Sequence, residues 1–261
     1  MIKLVVSDLD GTLIPEGTQD FQPGFFEDLE RLLDRGYKFY AASGRQYVNI
    51  CDVFGKYADR IGYLSDNGAV ATEHGEKIFV ETIPQELAME MAEYAQNIDA
   101  VDILISGVEK CYFFPKTEWF KNYILNDYGL PTEMPEKIRD IDEPIIKISM
   151  NIYDYEKNAA RIKRDLSDRF GEYADVLATG NAWLDYQIKG SGKGKALREV
   201  MKLKGLKPEE VMVFGDNQND ISMFEVTANS YAKANAKDDV KAAASYVCEN
   251  VTDVWREKLF V

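Results

Sequence analysis

Within its first ten residues the chain runs from an apolar, β-branched segment into two carboxylates. Ile2-Lys3-Leu4-Val5-Val6 has the near-continuous apolar character of a parallel strand buried on both faces. It leads directly into Ser7-Asp8-Leu9-Asp10-Gly11-Thr12-Leu13. Asp8 and Asp10 fall where the strand ends, and Gly11 lets the backbone turn sharply there. Ligands of open α/β sheets bind at the carboxyl ends of strands. Two carboxylates so close at that edge are costly unless something positive lies between them. An Asx turn or a helix cap accounts for most aspartates after strands, so the rest of the chain must decide.

The rhythm that follows is strand and helix in alternation. Pro23, Phe25, Phe26, Leu29, Leu32 and Leu33 have helical spacing up to Gly36. A strand over 37–42 ends in Ser43-Gly44-Arg45; a helix through Val48, Ile50 and Val53 and a strand over 61–64 come next. This spacing predicts a doubly wound parallel sheet. At Ser65-Asp66-Asn67-Gly68-Ala69 the pattern changes. Strands over 69–72 and 77–82 flank a hairpin at His74-Gly75-Glu76. Helices over 84–97, 119–127 and 154–170 then mix with strands over 101–106, 110–114, 145–152, 173–178 and 183–188. The first rhythm returns with a helix after Gly190-Ser191-Gly192-Lys193-Gly194, a strand over 211–214, a helix through Ile221, Met223 and Phe224, and another over 240–244. The expected fold is therefore α/β: a doubly wound, Rossmann-like parallel-sheet core from 1–82 and 188–261, with an inserted α+β domain over 83–187.

A second acidic cluster, Gly215-Asp216-Asn217-Gln218-Asn219-Asp220, follows the apolar strand 211–214. If both strands are central in one sheet, Asp8, Asp10, Asp216 and Asp220 converge at its carboxyl edge. Converging hard oxygen ligands suit Mg²⁺. One of these aspartates could instead cap the next helix. Ser43 and Gly44, at a third strand end entering a helix, offer a small anion site, although Ser-Gly is also common turn chemistry. Lys193 between two glycines could give the same anion a point charge; a lysine is more often a solvated surface group.

Composition narrows the chemistry. A formal net charge of −14 argues against nucleic acid or an anionic membrane as partner, since both favour basic surfaces. An anionic ligand would then need local cations or a metal. The only histidine, His74, falls in a hairpin turn and is assigned to the surface, so histidine-based catalysis and histidine-ligated metals are not expected. Ser43 has no base partner for a serine triad. Cys51, Cys111 and Cys248 are odd in number and widely spaced, which fits small buried hydrophobes in a reducing compartment rather than a disulfide framework. No apolar run approaches membrane-spanning length, and the chain begins almost directly with a strand, leaving no room for a signal peptide. A cytoplasmic protein is expected.

Taken in order, Asp8-Leu9-Asp10-Gly11-Thr12, Ser43-Gly44-Arg45, Lys193 and Gly215-Asp216-x-x-Asn219-Asp220 resemble the four motifs of the haloacid dehalogenase (HAD) superfamily. The insertion between the second and third motifs, with Ser65-Asp66-Asn67-Gly68-Ala69, looks like the Cof-type branch, whose large cap is of subclass IIB. The resemblance implies a phosphomonoester hydrolase for small phosphorylated metabolites, sugar phosphates above all. In that scheme Asp8 is the nucleophile that carries an aspartyl-phosphate, and Asp10 is the general acid and base. Mg²⁺ is held by the Asp8 carboxylate, the Asp10 carbonyl and Asp216. Leu9, Ser43, Gly44 and Lys193 contact the phosphoryl group, Asn219 that group or a metal-bound water, and Thr12 and Asp220 support the site. Arg45 and Asn67, near the hinge side, either contact the substrate or serve a structural role. The implied partner is a small metabolite, and the implied assembly a monomer or small homo-oligomer. The pattern departs from the branch at Val226-Thr227-Ala228-Asn229, Lys233-Ala234-Asn235-Ala236 and Thr252-Asp253-Val254-Trp255. A phosphomutase and a non-catalytic phosphate-binding protein remain the alternatives.

Overall fold

The computed structural model describes residues 1–15, 18, 20–126, 131–179 and 182–261. The end of the expected helix over 119–127, at Asp127, lies outside the described residues, as do Glu16, Gly17 and Gln19 in the segment before Pro23, read from sequence as a loop over 14–22 rich in Gly, Pro and Thr. Contacts divide the chain into two compact units, Met1–Phe79 with Gly192–Val261, and Val80–Ser191.

In the first unit, β1 (Leu4–Asp8) is buried at every position. Helix α1 (Phe25–Asp34), β2 (Lys38–Ala42), α2 (Tyr47–Phe54) and β3 (Gly62–Ser65) follow in strict alternation. Strands β4 (Val70–Glu73) and β5 (Glu76–Val80) form the hairpin, with His74 and Gly75 both at positive φ in its turn. His74 is exposed.

The second unit contains α3 (Gln85–Gln96), β6 (Val101–Gly107), β7 (Cys111–Phe114), α4 (Glu118–Asn126), the two-residue β8 (Thr132–Glu133), β9 (Ile145–Ile152), α5 (Tyr155–Phe170), β10 (Ala174–Thr179) and β11 (Trp183–Ile188). Its sheet has the order β10-β11-β9-β6-β7-β8 and is antiparallel except at β7–β8. One face packs Ile103, Ile148 and Met150 against α3 and α5; α4 sits with Leu104, Cys111 and Phe113. The aromatics of this unit are not all core: Trp119 is exposed and stacks on Tyr123.

The chain re-enters the first unit with α6 (Lys193–Lys204), β12 (Val211–Gly215), the four-residue α7 (Ile221–Phe224), β13 (Ser230–Lys233), α8 (Asp238–Ala243), β14 (Tyr246–Cys248) and α9 (Val251–Lys258). The sheet order is β14-β13-β12-β1-β2-β3-β4-β5, parallel from β14 to β3 and antiparallel at β3–β4. Successive side chains of β1 enter opposite layers. Val5 joins Phe39, Phe214, Phe25 and Trp255 on the α1/α9 face, while Leu4 and Val6 join Tyr40, Val213 and Leu197 on the α6 face. Burial on both faces is the reason β1 lacks polar alternation. Cys111 and Cys248 are buried and Cys51 is half-buried, all three as free thiols. Among the described residues no helix is long and apolar enough to cross a membrane.

Candidate active site

Strands β12, β1 and β2 are neighbours in the sheet, so the segments leaving them meet at one carboxyl edge. Asp8 is the last residue of β1, Ser43 follows β2, and Asp216 and Asp220 follow β12. Lys193 comes from a different place, the first turn of α6. Its side chain has no exposed surface, and its Nζ donates to Asp8 Oδ1 and to Asp220 Oδ1 at 2.6 Å each.

Asp8, Asp216 and Asp220 each bring a carboxylate oxygen within 4.8 Å of the others. These carboxylates do not play equal parts. Asp220 has both oxygens engaged: besides Lys193 on Oδ1 it accepts the backbone N–H groups of Asp216 and Asn217 on Oδ2 at 3.0 Å. Asp216 Oδ1 accepts from the Thr12 hydroxyl at 2.9 Å. Asp8 Oδ2 is buried without a hydrogen-bond partner. One ammonium among three carboxylates leaves a net negative charge in a largely buried site. Burial, then the neighbouring Asp220 charge, holds the Asp8 carboxyl well above the usual carboxylate range despite Lys193. Burial also raises Asp216. Burial alone would lower Lys193, but Asp220 and Asp8 outweigh it and the ammonium is held more firmly than usual. An orphaned oxygen on Asp8 beside a half-satisfied Asp216 is a donor set that fits a hard divalent cation.

Glycine is a steric requirement at two points. Gly11 lies at φ 87°, and a Cβ there would sit 2.2 Å from Asp216 Oδ2. Gly68 lies at φ 88°, and a Cβ there would meet the Gly192 carbonyl at 2.6 Å, just ahead of Lys193.

The loops after β2 and β3 brace each other. Asp66 N–H donates to the Arg45 carbonyl, Asn67 N–H to the Ser43 carbonyl, and Arg45 N–H to Ser43 Oγ at 3.1 Å. Ser43 and Asn67 are buried. A Cβ on Gly44 would come 3.1 Å from Asn67 Oδ1, which itself accepts from Asn219 Nδ2 at 2.9 Å. Leu9 is buried, and its carbonyl accepts from Leu13 and Ile14 to close the turn that carries Asp10. The Asp10 side chain stands apart from the three-carboxylate cluster and is held by Arg45.

The structure also brings in residues to which sequence reasoning gave no role. Ser222 Oγ accepts from Gly194 N–H at 3.0 Å, fixing the start of α6, and Asn235 Nδ2 donates to the Gly11 carbonyl at 3.3 Å. The Asn-Ala pair at 235–236 was the available signal for the second; a lone Ser222 gives none.

The donor set carries a test independent of turnover. Mg²⁺ is expected to stabilise the wild-type protein, by about 2.7 kcal/mol at one hundred times its Kd, and to have little effect on Asp216→Asn. Asp216 has a raised folded pKa, so its contribution is full below the ordinary carboxylate value and is lost as pH rises through the folded one. In EDTA, Asp216→Asn should therefore melt higher than wild type near neutral pH, with the gain fading on acidification. Thermal melts with and without Mg²⁺ across pH measure both effects; an equal Mg²⁺ shift in the variant would contradict the assignment.

Comparison with known proteins agrees on one family. The model of the haloacid dehalogenase-like hydrolases matches residues 5–254. The 5-amino-6-(5-phospho-D-ribitylamino)uracil phosphatase of Escherichia coli (strain K12) is 27% identical over 245 residues, covering 94% of this chain and 90% of that protein. The pyridoxal phosphate phosphatase of the same organism is 26% identical over 267 residues, 96% of this chain and 95% of its own length. Among solved structures, a HAD subclass IIB sugar phosphatase matches with a TM-score of 0.80 and 26% identity, covering 99% of this chain and 100% of that one.

Proposed function

The chain belongs to the haloacid dehalogenase-like hydrolase family, and on that premise we propose that it is a Mg²⁺-dependent phosphatase of small phosphorylated metabolites, sugar phosphates first among them. The observation that carries this reading is the buried Asp8 carboxylate, held on one oxygen by Lys193 and left without a hydrogen-bond partner on the other. The related phosphatases, named for ribitylaminouracil phosphate, pyridoxal phosphate and sugar phosphates, support the substrate class.

Asp8 attacks phosphorus opposite the ester oxygen; its O–P bond forms as the ester P–O bond breaks. Asp10 gives the departing alkoxide a proton, and in the second half-reaction takes one from the water that displaces Asp8. Lys193, Ser43, Asn219 and the backbone N–H groups of Leu9 and Gly44 stabilise the equatorial oxygens as charge spreads over them. Asn67 acts by orienting Asn219, whose amide donates to it. The Asp8 carboxylate, Asp10 carbonyl and Asp216 would hold Mg²⁺, which supplies Lewis-acid neutralisation of the phosphoryl charge. Thr12 and Asp220 orient Asp216 and Lys193. The inserted unit, with boundaries near 82 and 188, serves as the cap that selects the leaving group.

Phosphate release from a panel of sugar phosphates, nucleotides and pyridoxal phosphate, with Mg²⁺ and with EDTA, tests the proposal. Mg²⁺-dependent release led by sugar phosphates is expected. No release from any ester by folded protein would contradict it.

A further inference from the structure

Asp10 and Arg45 form a two-point pair: Arg45 Nε donates to Asp10 Oδ2 at 2.9 Å and Nη2 to Oδ1 at 2.5 Å. The side chains are 33% exposed for Arg45 and 49% for Asp10, so the pair adds little to stability. Its content is geometric, because a guanidinium fork fixes the plane of a carboxylate as no single hydrogen bond can. The base of the fork is itself fixed. Arg45 N–H is tied to Ser43 Oγ and the Arg45 carbonyl receives Asp66 N–H, so the side chain reaches Asp10 from a braced loop.

We infer that Arg45 is a positioning residue for Asp10 in the second half-reaction, rather than a substrate contact. The inference rests on the phosphatase reading above. In that half-reaction a water oxygen bonds to phosphorus, the Asp8–phosphorus bond breaks with its electron pair returning to the Asp8 carboxylate, and a water proton passes to Asp10. The fork sets the plane of the Asp10 carboxylate, the acceptor in this transfer, before water arrives. Each carboxylate oxygen keeps a second lone-pair direction for that proton.

A substrate contact and a base-positioning residue leave different kinetic signatures. Slowing phosphoenzyme hydrolysis lowers kcat and KM together and leaves kcat/KM nearly unchanged; removing a substrate contact raises KM and lowers kcat/KM. Arg45→Ala and Arg45→Lys are compared with wild type on a good substrate, together with single-turnover quench measurements of the phosphoenzyme. Arg45→Ala is expected to slow phosphoenzyme decay tenfold or more, to raise its steady-state level, and to lower kcat more than kcat/KM, with no rise in KM. Arg45→Lys should recover only part of the loss, because it restores the charge without the fork. In an Asp10→Asn background, Arg45→Ala should add no further slowing of decay. A raised KM with lowered kcat/KM, additive losses in the double variant, or unchanged decay in Arg45→Ala would each overturn the inference. Circular dichroism and melting of each variant separate these outcomes from misfolding. A wild-type protein that forms no phosphoenzyme would count against the phosphatase reading instead.

Discussion

Asp8→Asn is expected to lose phosphate release by roughly four orders of magnitude or more while remaining folded. The amide oxygen can still accept from Lys193, which keeps Asp220 as its second partner, so the buried network persists. What is lost is the nucleophile. The variant should also be no less stable than wild type in EDTA near neutral pH. The folded pKa of Asp8 is raised, so its favourable contribution is full below the ordinary carboxylate value and is lost as pH rises through the folded value. At neutral pH an ionised Asp8 is a cost that asparagine removes. Phosphate release and melting temperature measured on one preparation check both halves; substantial residual Mg²⁺-dependent turnover would refute the role given to Asp8.

Lys193→Met should fail in both stability and activity. The ammonium has no exposed surface and is the cation between Asp8 and Asp220. Removing one partner of a buried ionic group costs about 3–5 kcal/mol, because it strands the charge left behind. Loss of a preorganised donor to the transferring group costs a further factor on the order of 10²–10³ in kcat. Urea unfolding and kcat measured together give the two numbers. Adding Asp220→Asn to Lys193→Met should recover part of the stability and none of the activity. A single Lys193→Met change that proved neutral in unfolding would contradict the role of Lys193 as the cation holding Asp8 and Asp220 together.

The sheet edge was readable from sequence because its logic is local. An apolar run that stops at an aspartate marks a strand end, and β1, β2 and β12 prove to be adjacent. Lys193 was not readable from a strand end, since it opens a helix and reaches the cluster from α6; its place between two glycines made it a candidate charge, and the motif resemblance gave it a role. Who pairs with whom was also hidden. Thr12 meets Asp216 across 204 residues, Asn219 meets Asn67 across 152, and Arg45 meets Asp10 across 35. Contacts at such separations are made by the fold and leave no trace in local pattern. The last two strands, β13 and β14, of four and three residues, are too short for periodicity to register. Helix α9 did carry a signal, with Val251, Val254 and Trp255 at helical spacing and buried, but its eight residues give barely two turns of pattern. Trp119 is exposed because α4 turns only Phe120 and Ile124 into its core.

On the proposed mechanism Asp8 carries the phosphoryl group. Rapid acid quench during turnover, borohydride reduction of any acyl phosphate and peptide mass mapping test it directly. Conversion of Asp8 to homoserine, dependent on substrate and Mg²⁺ and absent in Asp8→Asn, is the predicted result. Steady turnover with no modification, or modification at any other carboxylate, would contradict it.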